Sequence, residues 1–303
     1  MKVLFAGYGS IAKRHIKNLR LIANDRCIDL EIDLLRHTSA AAIDGIHAVY
    51  ANLEELSSNY DAVFITNPTA LHYKTLKALQ KYAKVFFLEK PAFDSEAYDL
   101  SPFEEKLIYV ACPLRYTAVI QWLHENFDFK KVISARAISS SYLPEWRPGT
   151  DYRNTYSAYR EMGGGVSIDL IHEWDYLQYL LGFPKKVHSF ITKKSNLEIN
   201  SDDIAIYIAE YEDKTIELHL DYFGRVPIRR LELFTEDDTV VCDLLASSIT
   251  CLKSCRTLHF DEVRDDYQIK EMKHFLDISE GKVDNTNPLE MAVRTIRLTK
   301  GLL

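Results

Sequence analysis

The pattern of apolar and polar positions changes character near Arg115. Before it, continuous apolar runs alternate with helical periodicity. "KVLFAG", "LEIDLLRH", "DAVFITNP", "KVFFLEKP" and "KLIYVACP" read as buried strands, with "GIHAVY" a shorter one. Between them, "IAKRHIKNLRLI" places Ile11, Ile16 and Leu19 on one side of a helix. "TALHYKTLKALQKY" does the same with Leu71, Leu76 and Leu79, with Thr69 as a candidate N-cap. Apolar strands separated by helices describe a parallel sheet covered on both faces. After Arg115, "VISARAISSSYL", "VHSFITKK", "DIAIYIAEYE", "TIELHLDYF", "RRLELFTE" and "TVVCDLL" alternate or are rich in β-branched and aromatic residues. They predict an antiparallel sheet of roughly six strands. One long helix, "SIDLIHEWDYLQYLLG", is embedded among them and stops at Gly182. Two helices close the chain, the last with Pro288 near its start.

Composition narrows the class. The 303 residues are 47% hydrophobic and 27% charged, as in ordinary globular enzymes. A net charge of −7 argues against a broad nucleic-acid-binding face. No apolar run is long enough for a membrane span, and the N-terminal run is too short for a signal peptide, so a cytoplasmic protein is expected. The 5 cysteines are scattered and odd in number, which argues against a disulfide framework. Cys251, Cys255 and His259 lack the fourth ligand of a structural zinc site, and no metal is expected.

The chemistry begins at "FAGYGSIAKRH". Gly7 and Gly9 let the backbone turn tightly and approach a pyrophosphate, and Ala12 allows close packing of helix on strand. The helix begins at Ser10 and Ile11, where free N–H groups and the positive dipole end face the phosphates. A simple tight turn is the alternative. At the end of the second strand stand Arg36, His37, Thr38 and Ser39, a guanidinium and hydroxyls suited to a 2′-phosphate. NADP is therefore expected over NAD, unless Asp33 or another group reads the ribose. "FLEKPAF" then sets Glu89 and Lys90 at a strand's end, with Pro91 restricting Lys90 to extended backbone.

In the second half, "GGGVSIDLIHEWDY" places Asp169, His172, Glu173 and Tyr176 on one helix face. Leu170, Ile171, Trp174, Leu177 and Leu181 face the core on the other. The preceding segment holds Trp146, Arg147, Asp151, Tyr152, Arg153, Tyr156, Tyr159 and Arg160. Aromatics of this kind stack on sugar or base rings, and arginines grip phosphates. A subunit interface is an equal use for them. Arg115, at the expected domain junction, is a further candidate substrate contact.

Together, "GYGSIAKRH", "TNPTALHYKTLKAL", "EKP" and "GGGVSIDLIHEWDYLQYLLG", in this order, resemble the Gfo/Idh/MocA oxidoreductase family over nearly the whole chain. The resemblance implies an α/β protein: an N-terminal Rossmann doubly wound parallel sheet, and a C-terminal α/β domain with an open, mostly antiparallel sheet. The expected boundaries are 1–115, 116–285, and a C-terminal helix 286–303 packing back on the Rossmann domain. It implies NAD(P)-dependent hydride transfer to or from a sugar-like alcohol. Lys90 matches the family's active-site lysine and Glu89 its neighbour, and both are expected cofactor contacts. The Lys90–Pro91 bond is often cis in such proteins. Asn67 and Pro68 match the turn beside the nicotinamide. Thr66 and His72 are further candidate contacts, although His72 could equally face solvent. The family often sets Asp and His four apart in the second motif; here they are three apart. That form is similar to a subgroup of surface-polysaccharide and nonulosonate-type pathways.

The catalytic set expected is thus Lys90, His172 and Asp169, with either Lys90 or His172 as the primary base. The substrate contacts expected are Arg115, Trp146, Arg147, Tyr152, Arg153, Asp169 and His172. A nucleotide-linked or amino sugar is the expected substrate and a homodimer or homotetramer through the C-terminal sheet the expected assembly. A free polyol or inositol-type dehydrogenase, a non-catalytic NADP-binding sensor and a redox-neutral enzyme are the rivals.

Overall fold

The computed structural model describes residues 1–37, 43–56 and 59–302. Thr38 and Ser39, expected near the ribose, lie outside them. The chain divides into two compact units, 1–111 with 268–293, and 112–267 with 294–303.

The first unit contains β1 (Lys2–Ala6), α1 (Ser10–Asp25), β2 (Glu31–Leu35), β3 (Ala48–Tyr50), β4 (Ala62–Ile65), α2 (His72–Leu79), β5 (Val85–Leu88) and β6 (Leu107–Val110). Its sheet runs β3-β2-β1-β4-β5-β6, every pair parallel. Val3, Leu4 and Phe5 of β1 and all of β4 are fully buried, which is why these strands read as unbroken apolar runs. The order reverses between β1 and β4, the switch point where α/β sheets bind ligands beyond their C-terminal strand ends. Thr69 does not cap α2. It opens a 3₁₀ turn, Thr69–Leu71, and the α-helix begins only at His72.

In the second unit, α3 (Ala118–Asn126), β7 (Val132–Tyr142), α4 (Val166–Asp169) and α5 (Ile171–Leu181) precede seven strands. These are β8 (Lys186–Thr192), β9 (Ile204–Glu210), β10 (Thr215–Asp221), β11 (Phe223–Thr235), β12 (Thr239–Asp243), β13 (Ser248–Cys251) and β14 (Arg256–His259). The sheet has eight strands rather than six, in the order β14-β13-β12-β11-β7-β10-β9-β8, and only β7 and β10 pair in parallel. The strand-and-turn segment around Cys251–His259 supplies the added hairpin, β13–β14, whose second strand has Arg256, Thr257, Leu258 and His259 all exposed and so no buried alternation. It sets His259 opposite Ser248 and Arg256 opposite Cys251, so Cys251 and His259 stand at opposite ends of the hairpin.

The long helix expected around Asp169 is two helices. Leu170, at φ −96° and ψ 31°, breaks it. Nor does α5 have a solvated side: Glu173 and Tyr176 are fully buried, as are Trp174 and Leu177. Glu173 is tolerated there because the guanidinium of Arg229 on β11 donates to it at 2.7 Å. Trp174 meets Tyr207 of β9 edge-on at 5.2 Å.

The chain ends with α6 (Arg264–Ser279) and α7 (Leu289–Thr299). The unit division assigns Gln268 onward to the first unit and runs through α7, which differs from boundaries at 115 and 285. Long-range packing decides this. Phe275 of α6 meets Phe64 and Phe87 edge-on at 5.4 and 5.1 Å, and the Asn287 side chain donates to Val110 O at 2.8 Å. Among the described residues no helix is long and apolar enough to cross a membrane.

Candidate active site

The glycine loop joins β1 to α1 at the switch point. Gly7 has φ +100°, and a Cβ built on it would stand 2.8 Å from Asn67 N. Only glycine fits that left-handed, crowded position. Its N–H donates to Leu35 O at 3.0 Å, and the Thr66 hydroxyl donates to Ala6 O and Gly7 O at 3.1 and 3.2 Å. Thr66 therefore ties β4 to the loop. Gly9 is the contrast: a Cβ there would meet nothing within 4 Å. Gly9 caps α1 without a side-chain hydrogen bond, and no acidic residue lies in the first turn. The N–H groups beginning at Ser10 and Ile11 thus retain their attraction for an anion. Near the same turn, Asn67 donates from Nδ2 to Thr75 Oγ1 at 2.7 Å, while its buried Oδ1 has no partner. Pro68 is exposed. An open glycine cradle, an uncapped helix start and an orphan acceptor fit a dinucleotide.

Asp33 cannot read the ribose. It is fully buried and bonded to Tyr60 Oη and His47 Nδ1, each at 2.9 Å. Arg36 is half-buried with its guanidinium 5.9 Å from the Tyr8 ring, and His37 is exposed.

Lys90 stands two residues beyond β5, half-buried, and its bond to Pro91 is cis. Glu89 beside it is buried and accepts from His15 Nε2 at 2.5 Å and from the Lys90 N–H at 3.2 Å. Burial pushes the Glu89 carboxyl up, but the His15 hydrogen bond and the neighbouring Lys90 charge prevail and hold it below the usual carboxylate range. Glu89 is thereby turned into the protein rather than toward a cofactor. His72 is also corrected: it neither faces solvent nor offers a ring nitrogen to a ligand. It is 1% exposed, with Nδ1 3.1 Å from both Pro91 O and Ala92 O, and Nε2 2.9 Å from Asn67 O. Burial pushes its imidazole below the ordinary value, against the pull of these carbonyls. It braces the chain on the far side of Lys90.

In the second unit, Asp169 ends α4, buried, and its Oδ2 accepts from the Tyr222 hydroxyl at 2.5 Å. Tyr156 exposes its ring but turns its hydroxyl to the same carboxylate. Burial, then the Asp169 charge, raises both phenols above their ordinary range. His172 is half-buried in the first turn of α5. Residues 143–162 run through four short 3₁₀ turns, Leu143–Glu145, Tyr152–Asn154, Tyr156–Ala158 and Arg160–Met162. Trp146 donates from Nε1 to Ser141 Oγ at 2.8 Å, Tyr152 Oη accepts from Glu198 N at 3.1 Å, and the Arg147 guanidinium lies 5.4 Å from the Tyr156 ring. Arg153 pairs with Asp151 and Glu198 at 2.8 and 3.2 Å on the surface. Trp146, Arg147 and Tyr152 close on a cavity of only about 10 Å³, too small for a sugar. Arg115 is corrected as a substrate contact. It is 1% exposed, and its Nε and Nη2 donate to Asp175 at 2.8 and 2.7 Å.

Sequence reasoning passed over His15 and Tyr222. A signal existed for His15, which shares the buried helix face of Ala12, Leu19 and Ile22, where a polar residue needs a partner.

Two family models match the chain. One, an oxidoreductase family with NAD-binding Rossmann fold, covers residues 1–99, and the other, the GFO/IDH/MocA C-terminal domain, covers residues 130–241. The chain belongs to the Gfo/Idh/MocA family. An uncharacterized oxidoreductase, sll0816, from a Synechocystis strain is 26% identical over 82% of the chain and 63% of its own length. The chain spans 63% and 52% of the two curated relatives it matches. Among solved structures, the WlbA dehydrogenase of Bordetella pertussis, in complex with NADH and UDP-GlcNAcA, superposes with a TM-score of 0.79. It is 16% identical and covers 100% of this chain and 94% of that one. A levoglucosan dehydrogenase in complex with NADH gives 0.82 at 14% identity, covering 100% and 95%. At these identities the structures establish the fold.

For this Gfo/Idh/MocA chain the two loop glycines have separable effects. Gly7→Ala should destabilise the protein by roughly 1–3 kcal/mol, because the strained φ and the contact with Asn67 backbone coincide. Gly9→Ala should leave the urea midpoint unchanged, since its φ of −82° suits any residue, yet weaken cofactor binding. Urea titrations and nicotinamide fluorescence titrations of both variants read the two effects.

Proposed function

We propose that the protein is an NADP-preferring oxidoreductase that transfers hydride to or from a sugar-type alcohol or ketone. The proposed substrate is a nucleotide-linked or amino sugar of surface-glycan synthesis. The observation that carries this reading is Lys90, set just past β5 in the first unit, with Glu89 anchored before it and Pro91–Ala92 braced after it. A structural ion pair at a strand end would not need the chain on both sides of a half-buried lysine held by buried histidines.

When bound, the nicotinamide supplies or accepts the hydride. The residues that would hold the dinucleotide are Gly7, Gly9, Ser10 and Ile11 at the phosphates, Arg36 at the 2′-phosphate and Asn67 at the nicotinamide. The chain's own work is on the proton. The Lys90 amine hydrogen-bonds the reacting oxygen, and the His172 imidazole accepts the hydroxyl proton or returns it. Asp169, fixed by Tyr222 and Tyr156, orients the substrate hydroxyls. The preference for NADP is supported by Arg36 and by the commitment of Asp33 elsewhere. The sugar class is supported by the family and by the named activities of its structural neighbours. The exposed outer residues Phe190 and Ile208, on neighbouring strands β8 and β9, favour assembly of like chains through this sheet.

The test is nicotinamide absorbance with free sugars, polyols and nucleotide sugars, using NAD(H) and NADP(H). Turnover is expected on nucleotide-linked or amino sugars. Arg36→Ala should erode the NADP preference about ten- to hundredfold, the worth of one charge-assisted hydrogen bond. Turnover confined to free polyols would reassign the substrate. Cofactor binding with no turnover would favour a sensor or a redox-neutral reaction.

A further inference from the structure

His15 and Glu89 are both buried, lie on different elements, and touch no part of the proposed proton transfer directly. A histidine on the core face of α1 and a carboxylate at the C-terminal end of β5 would each cost several kcal/mol if left unpaired in the interior. Apolar residues could fill the same space without that penalty. Their placement is specific. His15 Nε2 meets Glu89 Oε1 at 2.5 Å, and the other carboxylate oxygen accepts the N–H of Lys90 at 3.2 Å. Phe87 meets the imidazole edge-on at 4.9 Å and fixes its plane. His15 Nδ1 is buried with no partner, so a proton there would lack an acceptor. The arrangement thus favours donation from Nε2 to the Glu89 carboxylate. The groups facing that carboxylate are His15 from α1, His72 from α2 and Lys90 beside it.

We propose that the His15–Glu89 pair is a positioning device for Lys90: it fixes the backbone carrying the lysine and holds a permanent negative charge against its ammonium. The functional weight of this inference rests on the reading of Lys90 as a proton-handling group, whereas its physical content does not. A carboxylate beside an amine stabilises the charged form, and that coupling is what the proposal predicts for Lys90. His15 acts one step back, by keeping Glu89 ionised although buried.

The test needs no substrate. The folded protein is acetylated with acetic anhydride across pH, and labelling of Lys90 is followed by peptide mass spectrometry, with Lys13 as internal reference. Glu89→Gln should lower the half-labelling pH of Lys90 by about one unit or more, as expected for loss of an adjacent opposite charge. His15→Leu should lower it too, by a smaller amount, because the carboxylate is then no longer held in place beside Lys90. His15→Gln, which can still donate to Glu89, should restore the wild-type midpoint. Lys13, exposed on α1, should not move in any variant and so calibrates the reagent across pH. An unchanged Lys90 midpoint in both Glu89→Gln and His15→Leu would overturn the proposal. The turnover of Lys90→Ala is a separate reading: full activity there would overturn the catalytic assignment while leaving the measured coupling intact.

Discussion

Replacing Lys90 with alanine is expected to lower kcat by about 10²–10⁴-fold, the usual contribution of a positioned acid or base. Cofactor binding should survive, because the phosphate cradle of Gly7, Gly9 and α1 is formed by other segments of the first unit. Lys90→Arg separates charge from proton transfer. Its guanidinium keeps the positive charge but does not give up a proton in the working pH range. If Lys90 serves only to polarise the reacting oxygen, Lys90→Arg should recover part of the lost rate. If it also moves the proton, Lys90→Arg should stay as slow as Lys90→Ala. Stopped-flow measurement of the nicotinamide absorbance change, on the sugar class that turns over, distinguishes these. Undiminished turnover in Lys90→Ala would remove the lysine from the mechanism.

The second large effect is on stability. Arg115 and Asp175 form a two-pronged pair inside the second unit, and the guanidinium stands 5.0 Å from the Tyr179 ring centroid. Their side chains are only 1% and 10% exposed. Removing one partner strands the other charge in a poorly solvated site. Arg115→Met should therefore cost about 3–5 kcal/mol, although methionine fills much of the same volume. Adding Asp175→Leu should recover most of that loss, because no uncompensated charge then remains. Urea midpoints of the two variants test this. A double variant no more stable than Arg115→Met would mean that packing, rather than the stranded charge, sets the cost. Arg115 would then matter for its stem and its contact with Tyr179.

Arg115 also marks a boundary of sequence reasoning. An arginine in "CPLRY" looks available to an anionic substrate, and nothing local announces a carboxylate 60 residues away. His72 and Glu173 are of the same kind. Each is polar in a helical pattern where nothing local points to a partner, yet each is buried against one from a distant segment. The break at Leu170 was likewise hidden, because its residues all suit a helix.

What the sequence determined by itself follows from short-range rules. Unbroken apolar runs required a sheet buried on both faces, which the parallel β1, β4, β5 and β6 satisfy. Gly7 and Gly9 between strand and helix marked the dinucleotide loop, because Gly7 must adopt a positive φ and Gly9 leaves the helix start open to a phosphate. The position of Lys90 followed from an apolar run ending at a charged pair and proline. Tertiary structure alone decided which polar side chains remain available. Burial of a charge is settled by whether a partner reaches it, and those partners, His15 for Glu89, Asp175 for Arg115 and Arg229 for Glu173, come from segments far apart in the chain.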